Sequence, residues 1–290
     1  MKKKVGFIGI GAMGKHMAGN LLKAGYEMYI CDLNPEAIKE LKAEGANIID
    51  TPGEVAKVSE VVITSLPDSP EVEQVYLGKN GLLSGAHEGL ILIDCSTIDP
   101  DLTRRIGLES LNLGVHMLDA PVGGSVANAI QGNLIMLVGG DKSVVDLCCD
   151  IFDTIGGQTI HAGPIGAGIC LKLANNLMTG IYDCLVAEGL AFAKDIGVDR
   201  EKLLVLLKGN LMRLFEMLSK RMLDKDFQPG FTTKLMHKDL RLGLKLGQDN
   251  NAFLPLGALS KEMFQLAINQ GLGDLDFTSL SSVYEDKKKA

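Results

Sequence analysis

The sequence predicts an α/β fold in which a doubly wound parallel sheet comes first and an all-helical half follows. Three observations carry this. Short apolar runs rich in β-branched residues alternate with helix-period segments from Val5 to His161. A glycine triplet, Gly9-Ile-Gly11-Ala-Met-Gly14, stands between the first such run and the first helical segment. From Gly166 onward only helical spacing remains, and its first stretch runs unbroken to about Asp195. Alternating β and α segments require parallel strands with helical crossovers, which cover both faces of the sheet.

Composition narrows the class. The 290 residues are 46% hydrophobic and 22% charged, which allows a buried core and about two domains of ordinary size. With no Trp and 12 Met, aliphatic and thioether side chains must fill that core. A formal net charge of -7 opposes a nucleic acid partner, whose phosphates need clustered cations. The basic clusters Lys2 to Lys4 and Lys287 to Lys289 read as solvated tails. The six cysteines (Cys31, Cys95, Cys148, Cys149, Cys170, Cys184) lie in apolar stretches without a C-x-x-C, and read as reduced, buried thiols of a cytoplasmic protein. No H-E-x-x-H or comparable spacing indicates a metal. The run Val5 to Ile10 is too short for a signal-peptide core, and nothing approaches the roughly 20 apolar residues of a membrane span.

In order, Val5 to Ile10 reads as a strand and Lys15 to Ala24 as a helix stopped by Gly25. Strand, tight glycine turn and helix together form the dinucleotide fingerprint of a Rossmann-type domain. Gly9 permits the turn, Gly11 lets the backbone approach a pyrophosphate, and Gly14 lets the helix pack on the strand. The helix start, with Ala12 and Met13, offers free N–H groups to the anion. The strand Glu27 to Cys31 ends at Asp32, 18 residues past Gly14, where an acid meets ribose hydroxyls. Asp32 would repel a 2'-phosphate and Leu33-Asn34-Pro35 supplies no Arg, so NAD(H) is expected over NADP(H). Pro35 then starts a helix that runs to Gly45.

Further units follow: a strand at Asn47 to Ile49, a helix about Glu54 to Lys57, and a strand Val61 to Ser65 ending in Leu66-Pro67. A helix about Pro70 to Tyr76 precedes the strand Leu90 to Asp94, which ends in Cys95-Ser96-Thr97. Ligands of such sheets lie at the carboxyl ends of strands, so Leu66, Pro67, Ser96 and Thr97 are either cofactor contacts or ordinary loop punctuation. A helix near Asp101 to Asn112 leads to the strand Val115 to Asp119 and then to Ala120-Pro-Val-Gly123-Gly124-Ser125, whose glycines expose N–H groups suited to a carboxylate. Asn128-Ala-Ile-Gln-Gly132 enters the strand Leu134 to Gly139, Ser143 to Ile155 is helical with Cys148 and Cys149 in its body, and Thr159 to His161 closes the sheet.

Gly163-Pro164 marks the domain break, giving residues 1–163 to the nucleotide domain and 164–290 to an all-α domain built on a long interdomain helix. That helix carries Lys172, Asn175 and Asn176 on one face. Helical patterns recur at Arg200 to Lys208, Leu211 to Leu223, Thr233 to Gln248 and Pro255 to Gln270, with a short last helix at Thr278 to Tyr284.

Four motifs in order carry a resemblance: Gly6-Phe-Ile-Gly-Ile-Gly-Ala-Met-Gly14, Asp119-Ala-Pro-Val-Gly123-Gly124, Gly166-Ala-Gly168 through Lys172 to Asn176, and His237-Lys238-Asp239-Leu240. Over nearly its whole length the chain resembles the β-hydroxyacid dehydrogenase family, which includes 3-hydroxyisobutyrate dehydrogenase and tartronate semialdehyde reductase. The resemblance implies that Lys172 is the catalytic acid/base and that Asn176 and the backbone of Gly123 and Gly124 hold the substrate. It also implies cofactor contacts from Ala12, Met13, Asp32, Leu66, Thr97 and Lys238. Ser125, Asn128 and Asn175, from the same loop and helix face, are expected beside the substrate.

The expected function is therefore NAD(H)-dependent interconversion of a short 3-hydroxy acid and its semialdehyde, with Lys172 exchanging the hydroxyl proton and its pKa lowered by burial beside a cationic nicotinamide. A 6-phosphogluconate-type oxidative decarboxylase and a non-catalytic dinucleotide-binding protein are the alternatives. The family's commoner Ser-Gly-Gly after Pro-Val is here Gly123-Gly124-Ser125, which looks more like the sulfolactaldehyde reductase branch. That branch has Arg where Gly124 stands. Arg213 is the candidate to supply the missing charge, or else an ordinary surface residue. The expected partners are a small anionic substrate and further copies of the chain, as a homodimer or homotetramer.

Overall fold

The computed structural model describes residues 2–208 and 211–285, so the basic run Lys287 to Lys289 lies outside the described residues. By internal contact the chain divides into Met1–Leu177 and Met178–Ala290.

The first unit is a nine-stranded sheet. It is built from β1 (Lys4–Ile8), α1 (Gly14–Lys23), β2 (Glu27–Cys31), α2 (Pro35–Ala43), β3 (Asn47–Ile48), α3 (Pro52–Val58), β4 (Val61–Thr64), α4 (Ser69–Leu77) and a 3₁₀ turn at Leu82–Gly85. There follow β5 (Ile91–Asp94), α5 (Pro100–Leu111), β6 (His116–Asp119), β7 (Val122–Gly123), α6 (Val126–Gln131), β8 (Leu134–Gly139), α7 (Lys142–Leu147), α8 (Cys149–Ile155), β9 (Gly156–Gly163) and the start of α9 (Ala167–Asp195). The order is β3-β2-β1-β4-β5-β6-β8-β7, with β9 paired to the other side of the path on β8. Strands β3 through β6 are all parallel. The order reverses between β1 and β4, which opens a ligand crevice at their carboxyl ends.

Beyond β6 the sheet becomes mixed. Strand β8 runs antiparallel to β6 and β7 because only the six-residue α6 joins β7 to β8, too short for a crossover. The α7–α8 connection is long enough, and β9 pairs parallel with β8.

Strand residues alternate between two cores. Phe7, Ile63, Ile93 and Leu118 pack with Met17 and Phe152 on one face, while Ile8, Val62 and Leu92 pack with Tyr76, Leu82 and Ile106 on the other. Both faces are dry, as a doubly wound sheet requires. Helix starts are set by side-chain caps at Asn34, Thr51, Asp68 and Asp99, each followed by Pro in the first turn.

Besides this departure from a wholly parallel sheet, two sequence expectations change. The helix expected from Ser143 to Ile155 breaks at Cys148, whose φ of -108° and ψ of 7° end α7 and re-aim α8. The break lets Val144 and Val145 from one segment and Ile151, Phe152 and Ile155 from the other all reach the core. The cysteines were expected to be buried throughout, yet only Cys31, Cys95 and Cys148 are; Cys149, Cys170 and Cys184 are exposed on helices whose apolar residues are not all turned inward.

The second unit holds the rest of α9, then α10 (Arg200–Leu207), α11 (Leu211–Asp224), α12 (Thr233–Asp249), α13 (Pro255–Ala267), a π turn at Ile268–Leu272, a 3₁₀ turn at Phe277–Leu280 and α14 (Ser281–Glu285). Its 29-residue α9 spans about 44 Å at 1.5 Å per residue. Among the described residues its one β contact is the isolated bridge Thr232 to Asp276. Asp276 is the polar hub: it accepts from the amides of Gly230 and Phe231 and from Thr278 Oγ1, and pairs with Arg221 at 3.0 Å. Glu188 of α9 caps α13 by accepting from the amides of Leu256 and Gly257, both at 2.8 Å. No helix among the described residues is long and apolar enough to cross a membrane.

Candidate active site

The site in the first unit lies along the carboxyl ends of its strands. After β1, Gly9 has φ +88°, and a Cβ there would stand 2.3 Å from Ser65 O. At Gly14 a Cβ would stand 1.9 Å from Gly9 O, so the loop closes on α1 only with glycine at both positions. A Cβ on Gly11 would meet nothing within 4 Å. Gly11 and Ala12 are exposed, Met13 is half-buried, and no side chain caps α1. Lys15 N and His16 N already donate to Gly11 O and Met13 O, so the N–H groups offered to an anion are those just ahead of them, from Ala12 to Gly14, and the space over Gly11 is a cradle that a side chain would fill.

Asp32 closes β2. Its Oδ2 accepts from Ile10 N at 2.6 Å and its Oδ1 from Asn34 N at 2.7 Å, so the carboxylate that the fingerprint assigns to ribose also braces the glycine loop. A carboxylate oxygen accepts more than one bond, and ribose hydroxyls remain within its capacity. Cradle, uncapped helix and terminal acid fit a dinucleotide.

The β4 and β5 ends are locked together. Ser96 Oγ accepts from Leu66 N at 2.9 Å, and Ser96 N donates to Asp94 Oδ1 at 3.1 Å. Thr64 Oγ1 donates to the same Asp94 oxygen at 2.7 Å and lies 2.9 Å from Tyr76 Oη. Thr64, Tyr76, Asp94 and Ser96 are all buried. Burial pushes the Asp94 carboxyl above the usual carboxylate range, against the bonds from Ser96 and Thr64. Ser96 is therefore a brace between two loops, while Leu66 and Thr97 are half-buried and Pro67 is exposed at the same edge.

At the β6 end, Asp119 is buried, and its two oxygens accept from Gly166 N and Ile169 N, both at 2.7 Å. Burial raises its carboxyl while these amides pull it back down. The helix start they hold belongs to α9, on which Lys172 stands half-buried with its pKa lowered by desolvation. Asn175 and Asn176 follow on exposed positions, Asn175 Nδ2 donating to Asn176 Oδ1 at 3.5 Å.

Ser125 and Asn128 face each other. They form a capping box on α6, with Asn128 Oδ1 accepting from Ser125 N and Oγ at 2.9 and 2.7 Å. Gly123 pairs with Ile135. Gly124 has φ +120°, a conformation that side chains avoid, with a would-be Cβ 3.2 Å from that of Asn128. In the second unit, Arg213 is exposed on α11, and Lys238 on α12 pairs with Asp239 at 2.9 Å. No cluster of metal-ligating side chains occurs among the described residues.

Sequence reasoning did not single out Thr64, Tyr76 or Asp94, and it treated Asp119 only as part of a motif. The available signal was an acid ending a mostly apolar strand, as in Leu90 to Asp94 and Val115 to Asp119.

Comparison with known proteins agrees with this geometry. Residues 4–163 match the family described as the NAD binding domain of 6-phosphogluconate dehydrogenase, and residues 166–284 match NAD-binding of NADP-dependent 3-hydroxyisobutyrate dehydrogenase. The chain is 36% identical to 3-hydroxyisobutyrate dehydrogenase of Pseudomonas aeruginosa, over 98% of this chain and 99% of that one. It is 34% identical to 2-(hydroxymethyl)glutarate dehydrogenase of Eubacterium barkeri, over 97% and 95%. Among solved structures, a Mycobacterium tuberculosis 3-hydroxyisobutyrate dehydrogenase with L-serine superposes with a TM-score of 0.70 at 29% identity, covering 98% of this chain and 99% of that chain. With its dinucleotide cradle and both halves matched, the chain belongs to the β-hydroxyacid dehydrogenase family of NAD(P)-dependent oxidoreductases.

Proposed function

We propose that the chain interconverts a short 3-hydroxy carboxylate and its semialdehyde with NAD(H), and that Lys172 is the acid/base. The observation that carries this is Lys172 itself: a half-buried ammonium, destabilised by desolvation, on a helix anchored at the carboxyl edge of the sheet. Bound NAD(H) supplies or takes up the hydride at the hydroxyl-bearing carbon. Lys172 donates the proton to the alkoxide oxygen in reduction and removes it from the hydroxyl in oxidation, so a lowered pKa brings the neutral amine toward working pH. Asn176, Asn175 and the loop from Gly123 through Ser125 to Asn128 are assigned to substrate, and Ala12, Met13, Leu66, Pro67, Thr97 and Lys238 to cofactor. Asp32, with Leu33-Asn34 after it and no Arg, supports NAD over NADP.

The relatives named above carry 3-hydroxyisobutyrate and 2-(hydroxymethyl)glutarate in their names, and both molecules bear a hydroxyl on the carbon β to a carboxylate. Gly124 offers no cation, and its left-handed backbone disfavours a side chain there. Arg213 is our assignment for the substrate's anion. Arg213→Ala is expected to raise KM about tenfold or more with kcat retained, and an unchanged KM refutes it. A homodimer or homotetramer is proposed from exposed Leu177, Met178, Ile181, Tyr182 and Leu185 along α9, checked by light scattering on the purified protein. Six free cysteines fit a cytoplasmic setting.

The test is NADH oxidation with methylmalonate, tartronate, succinate and sulfolactate semialdehydes, each repeated with NADPH. Turnover with at least one, lost in Lys172→Ala while NADH still binds, is the expected result. Turnover with none points to a binding protein, and preference for NADPH removes the role given to Asp32.

A further inference from the structure

Asp119 is a buried acid that the transfer of hydride and proton does not itself require. Its surroundings show what it does. Helix α9 has glycine at its N-cap, Gly166, with φ +87°, so the helix has no side chain of its own to satisfy its first amides. Asp119 takes the N–H groups of Gly166 and Ile169, the two amides that a capping box would serve, from a strand 47 residues away in sequence.

The fit is cut from three sides. Asp119 pairs with Gly139 across the antiparallel junction of β6 and β8, and a Cβ on Gly139 would stand 2.3 Å from Asp119 Oδ1. A Cβ on Gly168 would stand 2.2 Å from Leu137 O and 2.9 Å from Asp119 Oδ2. Both glycines clear the path along which the carboxylate reaches the helix. Ile169 and Lys172 are three residues apart, so Lys172 lies on the same face about 4.5 Å along the axis from the anchored amide. Any slip or rotation of the helix start moves the Lys172 ammonium with it.

We infer that Asp119 is the positioning residue of Lys172, acting through the first turn of α9, with Gly139 and Gly168 as the notches that admit it. The inference rests on Lys172 being the acid/base. Asp119→Asn keeps the size but turns one acceptor into a donor facing an amide. Gly139→Ala displaces the carboxylate without altering it.

The experiment measures kcat, KM, the pH profile and NADH stoichiometry for both variants, with the best substrate of the panel above. In protein that binds one NADH per chain, kcat is expected to fall about 10²-fold, the scale set by a misplacement near 1 Å. KM and NADH affinity stay within about threefold, and the pH inflection of turnover stays in place. Added to Lys172→Ala, Asp119→Asn should cost nothing more, because residues acting as a unit are not additive. A kcat within about threefold of the parent, a loss carried by KM, or a loss that multiplies onto Lys172→Ala overturns the inference. Should Asp119→Asn not bind NADH, Gly139→Ala decides by the same criteria. Normal turnover in Lys172→Ala would instead remove the acid/base assignment, whatever the Asp119 variant does.

Discussion

Replacing Thr64 by valine tests the buried chain that joins the β4 and β5 loops. Thr64 is fully buried, and its hydroxyl proton goes to Asp94 at 2.7 Å, so Tyr76 O–H donates to Thr64 Oγ1 across 2.9 Å. Valine keeps the shape and deletes the middle of that chain. The Tyr76 hydroxyl loses its acceptor and Asp94 loses one donor, at about 1–3 kcal/mol for each buried group left short. The added methyl recovers less than about 1 kcal/mol. A net loss of about 3 kcal/mol lowers the melting temperature by roughly 6–12 °C for a domain of this size. Thermal unfolding by circular dichroism, with and without NADH, reads it. In the Thr64→Val background Tyr76→Phe removes the stranded hydroxyl and should regain about 1–2 kcal/mol, whereas in the parent it costs stability. NADH affinity should also fall, since Asp94 holds Ser96 and Ser96 holds Leu66. A drop under about 2 °C, or the same cost for Tyr76→Phe in both backgrounds, would refute the reasoning.

Gly11→Ala places its methyl in open space, so the melting temperature should hold while NADH binding weakens; unchanged NADH binding would mean the cradle is not used. Gly14→Ala drives a Cβ against Gly9 O and should lower the melting temperature as well, which the same scan checks. Because burial lowers Lys172, oxidation should accelerate with pH through an inflection below that of an ordinary lysine, about 10.4, and reduction should slow through the same point. Flat profiles in both directions would contradict this. Asp94 carries a carboxyl raised by burial, so the stability it contributes is full below the unfolded value of about 3.9 and is lost as pH rises through the folded value. Urea unfolding of Asp94→Asn should therefore gain on the parent as pH rises from about 4 to about 8, and a constant difference argues against a raised carboxyl.

The Rossmann half was legible because its strands are apolar on both faces and its helices are punctuated. Pro35, Pro52, Pro70 and Pro100, three of them just behind Asn34, Thr51 and Asp99, announce helix starts that the fold keeps. What could not be read was pairing. Val122–Gly123 is too short to announce a strand, and only its pairing with β8 makes it one. The break at Cys148 is likewise invisible, since Val144, Val145, Ile151 and Phe152 keep a helical apolar pattern across it. Of the site residues, Ser125 and Asn128 show the limit most clearly: their place beside glycines suggests a ligand, and nothing in the sequence announces that they also hold each other as a cap on α6.

Acids at strand ends carry the same ambiguity, and neighbouring atoms resolve it. Asp32, Asp94 and Asp119 close or directly follow β2, β5 and β6, and in sequence each looks like a ligand-facing carboxylate. Asp94 is enclosed by Thr64 and Ser96, so its carboxyl is spent on holding loops. Asp119 meets Gly139 across the strand and Gly168 on the helix, and its charge goes to amides of α9. Asp32 takes the Ile10 amide but remains partly exposed at the glycine loop, which leaves it able to meet a ribose. Exposure separates the roles: the partly exposed acid can meet a ligand, while the two buried ones serve neighbouring groups of the fold. At the start of α9 a glycine holds the N-cap, where no side chain caps the first amides, and here that marks them for a carboxylate arriving from elsewhere in the chain. Gly166 carries that mark in this chain, and Asp119 is the carboxylate that answers it.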